Sequence, residues 1–196
     1  VVLSKSKIKN GYDNSFPIED ANFIGLSFLE SFTSRFKYQY SKGDISLSAG
    51  YQNTSREYRD NYPLNFKSIN KSAEILNKFK ISDKIYSVQG ILFQDSGYDG
   101  VMNISQVGLY SNLVYLSGKN LNFSLGARIN NHQTYGNFLT YSLNPSYNFN
   151  FKELQNIKIF ATLNSAFIAP SLYQLYDPYS GNEGLLPEES ISKEIG

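Results

Sequence analysis

Few side chains in this sequence could take part in bond-making chemistry, and they do not come in groups. His132 is the only histidine and cysteine is absent, which excludes a disulfide or a thiolate metal site. The sequence has no G-x-S-x-G segment with a partner histidine, no phosphate-binding loop and no histidine cluster. Its carboxylates are scattered over predicted loops and turns. We therefore expect a protein that is not an enzyme, and we interpret His132 as a solvated loop residue.

The overall composition narrows the class of protein further. The 196 residues carry a formal net charge of +1, which gives no reason to expect a nucleic-acid partner. No run of about 18 apolar residues is present, so no transmembrane helix is predicted. A β-strand, in contrast, crosses a bilayer with about 9–11 residues, of which only alternate ones face lipid. A chain of this polarity is therefore compatible with a membrane location.

Alternation of apolar and polar residues is the main structural signal. It runs through residues 121–130, and the odd and even positions of 139–150 form an apolar and a polar face. No segment has a sustained helical period. We predict an all-β fold of about ten strands, at residues 1–11, 29–40, 44–56, 65–79, 84–95, 104–117, 120–131, 137–150, 156–166 and 189–196.

The predicted connections alternate between short and long. Residues 41–44, 80–83 and 117–120 are tight, whereas 57–64 and 96–103 are longer, and 167–188 is the longest. Turns at one rim and loops at the other are typical of an antiparallel up-and-down transmembrane β-barrel. The polar strand faces suit a lumen that holds water or a plug. The alternative is a soluble all-β binding module whose sheet has one solvated face.

Two segments near the C-terminus are too patterned for a generic connection. Residues 166–176 read AFIAPSLYQLY, and residues 181–196 read GNEGLLPEESISKEIG. They resemble the signature loop of TonB-dependent outer-membrane receptors, F-R-A-P-x-L-x-x-L-Y followed by G-N-P-N-L-K-P-E-K-S and by a Glu and a Gly. Ile168 departs from the frequent Arg, and Glu183-Gly184 departs from Pro-Asn. The matching positions are Phe167, Ala169, Pro170, Leu172, Leu175, Tyr176, Gly181, Asn182, Leu185, Pro187, Glu188, Ser190, Glu194 and Gly196.

This resemblance implies a barrel of about 22 strands in the outer membrane of a Gram-negative bacterium. It also implies a plug domain that contacts the TonB complex and permits active import of a scarce nutrient. We expect residues 1–196 to be a single partial barrel domain, with the plug domain and the remaining strands absent from it. We expect the signature loop itself to have a structural role rather than to be the ligand site.

A shorter motif at the other end of the chain concerns the ligand. Gly11-Tyr12-Asp13 resembles a segment of the cobalamin (vitamin B12) receptors of this superfamily, whose Tyr and Asp belong to a calcium-linked substrate site. The resemblance makes Tyr12 and Asp13 candidate ligand-binding residues. It makes Asp13, Glu19 and Asp20 candidate calcium ligands, since calcium prefers hard oxygen atoms. The alternative is a polar turn with Gly and Asp in their usual places.

A second Gly-Tyr-Asp sequence, at 97–99, lies in another predicted long loop. Tyr98 and Asp99 are candidate ligand contacts there, and a plain turn is the alternative. Haem receptors with this signature loop usually carry a histidine between its two segments, and residues 171–180 contain none. We therefore expect cobalamin as the cargo, with a ferric siderophore as runner-up and a passive porin as a less favoured alternative. Calcium is the one cofactor that the resemblance suggests.

Overall fold

The fold is a single antiparallel sheet whose strands follow one another in chain order. The computed structural model describes residues 1–12, 23–100, 102–118, 120–149 and 157–196. Each strand pairs with the next one along the chain, so that β1 and β10 are the edges of the sheet. The all-β prediction and the ten predicted strands are confirmed. The elements are β1 (Val2–Tyr12), β2 (Phe23–Tyr40), β3 (Gly43–Arg59), β4 (Leu64–Lys80), β5 (Ile85–Tyr98), β6 (Met102–Leu116), β7 (Leu121–His132), β8 (Gly136–Phe149), β9 (Ile157–Ile168), α1 (Leu172–Tyr176) and β10 (Glu188–Ile195).

One face of the sheet is apolar and open. Ile91, Leu109, Ile129 and Leu139 are successive cross-strand partners on β5 to β8, and each is roughly half exposed. Within the described ranges no second layer covers this outward face, and no helix is long and apolar enough to cross a membrane. A soluble sheet would have to bury such a face against another element. The outward face is therefore suited to contact with lipid.

The opposite, inward face is polar. Tyr110, Arg128 and Thr140 occupy successive cross-strand positions, one residue away from the apolar row. The Tyr110 hydroxyl donates to a Glu74 carboxylate oxygen at 2.7 Å, and Arg128 Nε donates to Asn130 Oδ1 at 2.6 Å. These bonds satisfy polar groups that a dry core would penalise. The inward face therefore suits a lumen that holds water or a plug, as the alternation predicts.

The two ends of the sheet differ in their connections. We call the end that carries the connections 41–42, 81–84 and 117–120 the turn rim, and the end that carries 169–187 the loop rim. The predicted long loops 57–64 and 96–103 were wrong, because β3 continues to Arg59, β5 continues to Tyr98 and β6 begins at Met102. The added residues of β3 are charged on the outward side, at Glu57 and Arg59, and aromatic on the inward side, at Tyr58, so that the usual alternation stops although the ladder continues. The 169–187 connection is long, as predicted.

Candidate ligand-binding site

A cavity of about 1260 Å³ lies on the inward face near the loop rim. Side chains from β3 to β9 line it, and so do the first residues of the 169–187 connection. This connection leaves β9, and α1 within it contacts β5, so it spans the inward face of the intervening strands. A concave site of this size, with aromatic and polar lining groups, is of the kind that binds small molecules.

Aromatic rings form a continuous cluster along one side of the cavity. Tyr12 lies edge-on to Tyr58 at 6.0 Å between ring centroids, and Tyr58 lies edge-on to Phe66 at 6.0 Å. Phe66 stacks on Tyr98 at 6.4 Å, and Tyr173 of α1 meets Phe66 edge-on at 5.7 Å. Such geometries contribute about 0.5–1.5 kcal/mol per pair beyond the area that they bury. We call these five residues the aromatic cluster.

The hydroxyl groups of Tyr12 and Tyr98 in the aromatic cluster differ in their hydrogen bonding. The Tyr12 hydroxyl donates to Asp60 Oδ2 at 2.8 Å. Burial, followed by this hydrogen bond, raises the pKa of Tyr12 to about 12, so the hydroxyl remains a neutral donor at physiological pH. Tyr98 is only 6% exposed, and its hydroxyl has no hydrogen-bond partner among the described residues. A buried hydroxyl without a partner costs about 1–3 kcal/mol.

Charged side chains complete the lining of the cavity. Arg56 extends from the inward face of β3, and Arg128 extends from β7 with its guanidinium 6.0 Å from the centre of the Tyr110 ring. Asp60 is the carboxylate of the lining. The cavity can therefore offer cationic and hydroxyl donors together with flat aromatic surfaces.

The 169–187 connection is folded by its own hydrogen bonds. Ser171 Oγ accepts from the Gln174 backbone N–H at 3.3 Å, and the Gln174 side chain accepts from the Ser171 backbone N–H, which is a capping box for α1. Asp177 accepts from Ser180 Oγ at 2.8 Å and from two backbone N–H groups. The bond from Ser180 is the main reason that the pKa of Asp177 lies below its usual value.

The connection 133–135, between β7 and β8, contacts the 169–187 connection at the loop rim. The Tyr135 hydroxyl donates to the Leu185 carbonyl oxygen at 3.0 Å.

His132 is 7% exposed, and its Nδ1 accepts from the Thr134 and Tyr135 backbone N–H groups. The expectation that His132 is solvated was therefore wrong. Its burial lowers its pKa, so that the ring is neutral and closes the turn after β7.

The structure brings two of the predicted ligand-binding residues into one site. Tyr12 and Tyr98 both line the cavity and belong to the aromatic cluster. Tyr98 lies on β5 rather than in a loop. Asp99 has a φ of 49°, and its Oδ1 accepts the Lys67 backbone N–H at 2.7 Å, so Asp99 closes a hairpin instead of lining the cavity.

The predicted calcium ligands Asp13, Glu19 and Asp20 lie outside the described residues, and their role stays a prediction. Within the ranges that the structure describes, no three histidine or carboxylate side chains are grouped so as to hold a metal ion.

The signature-loop residues fall into three groups: those that line the cavity, those that are buried, and the rest. Phe167 stacks on Phe138 at 3.6 Å between ring centroids, and Phe167, Ala169, Pro170 and Leu172 line the cavity. This part of the loop thus contacts the candidate site, whereas the sequence predicted a structural role alone. Leu175 and Asp177 are buried, which anchors the middle of the loop. The remaining matched residues shape the turn or continue into the exposed β10, and they are Tyr176, Gly181, Asn182, Leu185, Pro187, Glu188, Ser190, Glu194 and Gly196.

Several lining residues were not identified from the sequence. Arg56, Tyr58 and Asp60 lie at or beyond the predicted end of the third strand, and Phe66 was placed on a strand without a role. Their shared even numbering puts Arg56, Tyr58 and Asp60 on one face once β3 is extended, which is the signal that could have found them.

The sheet is that of a segment of a barrel, with an outward apolar face and a cavity on the inward face near one rim. The chain belongs to the family described as TonB dependent receptor-like, beta-barrel, which it matches over residues 5–196. It is 26% identical over 197 aligned residues to the vitamin B12 transporter BtuB of three strains of Vibrio cholerae. That match covers 94% of this chain and 31% of those relatives, so the chain spans about a third of their length.

A solved structure has the same fold. The siderophore receptor PirA from Pseudomonas aeruginosa superposes with a TM-score of 0.71 at 20% identity, over 89% of this chain and 37% of that chain. The resemblance to TonB-dependent receptors inferred from residues 166–196 is thereby confirmed, and so is the assignment of the chain to part of a larger barrel.

Proposed function

We propose that this chain forms wall strands and part of the ligand site of an outer-membrane receptor that imports cobalamin in a TonB-dependent manner. The observation that carries the proposal is the cavity at the loop rim, where the aromatic cluster faces arginine and tyrosine donors. Cobalamin is a large molecule with flat apolar surfaces and many amide groups, which such a lining can stack on and hydrogen-bond. The similarity to vitamin B12 transporters supports the same cargo.

In this proposal the chain catalyses no reaction. The plug of the full-length receptor would occupy the polar lumen and contact the TonB complex. The barrel would lie in the outer membrane of a Gram-negative bacterium, with the outward apolar face in lipid. Asp13, Glu19 and Asp20 would supply calcium ligands.

A ferric siderophore is the second candidate ligand. Arg56, Lys67 and Arg128 all line the cavity, and cationic residues favour an anionic iron chelate. The ligands differ in the contacts they need, because an anionic chelate depends on the arginines, whereas cobalamin depends mainly on the rings and neutral donors.

The test is equilibrium binding to the purified full-length receptor in detergent. We expect radiolabelled cyanocobalamin to bind with nanomolar affinity, and a ferric catecholate to compete only weakly. A chelator of calcium should weaken binding if the predicted calcium ligands operate. Tight binding of the iron chelate without measurable binding of cyanocobalamin would reject cobalamin in favour of the second candidate.

A further inference from the structure

The turn rim carries an excess of positive charge. Over residues 37–44 and 78–85 the sequence has five lysines against two aspartates, although the whole chain has a net charge of only +1. Among the connections alone, 41–42 and 81–84 of the turn rim hold Lys42, Lys84 and Asp83, whereas the described residues of the loop-rim connections 60–63, 99–100, 133–135 and 169–187 include four carboxylates and no lysine or arginine. The members of this turn-rim lysine cluster are Lys37, Lys42, Lys78, Lys80 and Lys84.

Backbone hydrogen bonds place the turns of this rim side by side. The Lys80 N–H donates to the Lys42 carbonyl oxygen at 2.7 Å, and the Leu116 N–H donates to the Lys84 carbonyl oxygen at 2.8 Å. The chain of contacts joins the β2–β3 turn to the β4–β5 turn and the latter to the end of β6. The lysines of the cluster therefore form a row along the rim rather than isolated charges.

The carboxylates at this rim neutralise only part of the row. Lys37 pairs with Asp44 at 3.3 Å, and Lys80 pairs with Asp83 at 2.6 Å. In the described part of the chain Lys42 and Lys84 make no ion pair. Both lie in exposed turn positions, where the long side chain can reach several ångströms along the surface.

Lys42 and Lys84 adjoin the end of the outward apolar face that lies at the turn rim. Ile81 is 50% exposed in the β4–β5 turn. Tyr38 is 61% exposed on the adjoining strand β2. Tyrosine and lysine at the end of an apolar crossing segment are suited to the headgroup layer of a bilayer. The row is thus continuous with the lipid-facing surface.

We propose that Lys42 and Lys84 of the turn-rim lysine cluster bind the phosphate groups of anionic phospholipids in the leaflet that surrounds this rim. Charge complementarity and continuity with the apolar face select lipid rather than a soluble partner. Clusters of basic residues beside a membrane-crossing segment are attracted to anionic lipid surfaces. The inference rests on the proposed membrane location of the barrel.

The experiment measures which lipids accompany the full-length receptor. The protein is reconstituted in phosphatidylcholine bilayers with increasing phosphatidylglycerol, re-extracted, and the co-purifying lipid is determined by mass spectrometry. We expect phosphatidylglycerol to be enriched several-fold over its bulk fraction, and added salt to reduce the enrichment. The Lys42→Gln/Lys84→Gln variant should lose most of the enrichment.

The matched control is Lys37→Gln/Lys78→Gln, which removes two lysines from the inward side of the same rim and should change the enrichment less. Heat-modifiable migration of each variant on a gel checks that the barrel has formed. The proposal is overturned if the native barrel shows no preference for phosphatidylglycerol, or if the Lys42→Gln/Lys84→Gln variant keeps it. Release of the native receptor without detergent would instead refute the proposed membrane location.

Discussion

Gly181 is the residue at which the signature loop tolerates no side chain. A Cβ atom there would lie 2.5 Å from the Asp177 carbonyl oxygen and 2.8 Å from the Leu175 carbonyl oxygen. Both atoms are backbone, so neither can rotate away. The Gly181 N–H also donates to the Asp177 carbonyl oxygen at 2.8 Å, which holds the chain at this close approach. The glycine of the signature loop is therefore required by packing.

We predict that Gly181→Ala destabilises the loop by about 1–3 kcal/mol, the usual cost of forcing extra volume into a tight contact. Hydrogen exchange of the amides of α1 and of the residues after it should accelerate. Gly184→Ala is the matched control, because its Cβ would meet only the Asn182 side chain, at 3.2 Å. Equal acceleration in both variants would contradict the account of Gly181.

Asp177 makes the same loop sensitive to pH. Its pKa in the folded loop is lowered, chiefly by the Ser180 hydroxyl. The ionised carboxylate therefore stabilises the loop above the unfolded pKa of about 3.9, and this stability is lost as the pH falls through the lower folded value. We predict that protection of the Tyr179 and Ser180 amides falls over that acidic range, and that Asp177→Asn lacks this pH dependence. Glu183→Gln, a nearby exposed carboxylate, should behave like the native chain.

At the scale of elements, α1 connects two distant strands of the sheet. It follows β9, yet its Tyr173 contacts Phe66 on β4 and Tyr98 on β5. The aromatic cluster thus depends on a helix of a single turn whose own propensity is weak. Capping at Ser171 and burial of Leu175 compensate for the short length.

We predict that Tyr173→Ala weakens the docking of α1 by about 1–2 kcal/mol, since two edge-on ring contacts are lost. Cyanocobalamin affinity of the full-length receptor should fall with it. Tyr173→Phe keeps the ring and should retain both properties. Tyr179→Ala, at a residue of the same loop that is 78% exposed, is the control and should change neither. Undiminished protection of α1 in Tyr173→Ala would refute the docking role.

The sequence was sufficient to predict the strands, but it was not sufficient to predict which residues line the candidate site. Period-2 alternation located β7 and β8 almost to the residue, because lipid-facing and lumen-facing positions differ in polarity. It failed at the loop-rim end of β3, where charged Glu57 and Arg59 interrupt the apolar face, and at that of β5, where Gly97 does so.

Tyr12 and Tyr98 of the aromatic cluster were candidates from the sequence, but Tyr58, Phe66 and Tyr173 were not. Only the sheet register and the path of α1 bring these distant residues together.

At the scale of the whole molecule, the sheet separates an outward apolar face from an inward face that lines the cavity. Leu125 is 47% exposed on the outward face of β7, and Ser124 next to it points inward and donates to Asn112 Oδ1 at 3.0 Å. We predict that Leu125→Arg costs the assembled barrel about 2–4 kcal/mol, as an arginine facing the bilayer midplane does. Ser124→Arg should cost less. Urea unfolding in lipid vesicles measures both, and a reversed order would contradict the assigned faces.

The most direct test of the account uses the absence of cysteine from this chain. In a full-length receptor without other reactive thiols, Leu139→Cys places a thiol on the apolar row, and Thr140→Cys places one in the cavity lining. The rate of labelling by a water-soluble maleimide is measured in bilayers with and without saturating cyanocobalamin. The account predicts that the Thr140→Cys variant reacts and is protected by cyanocobalamin, whereas the Leu139→Cys variant stays unreactive. Equal labelling of the two variants, or a Thr140→Cys rate that cyanocobalamin leaves unchanged, would contradict it.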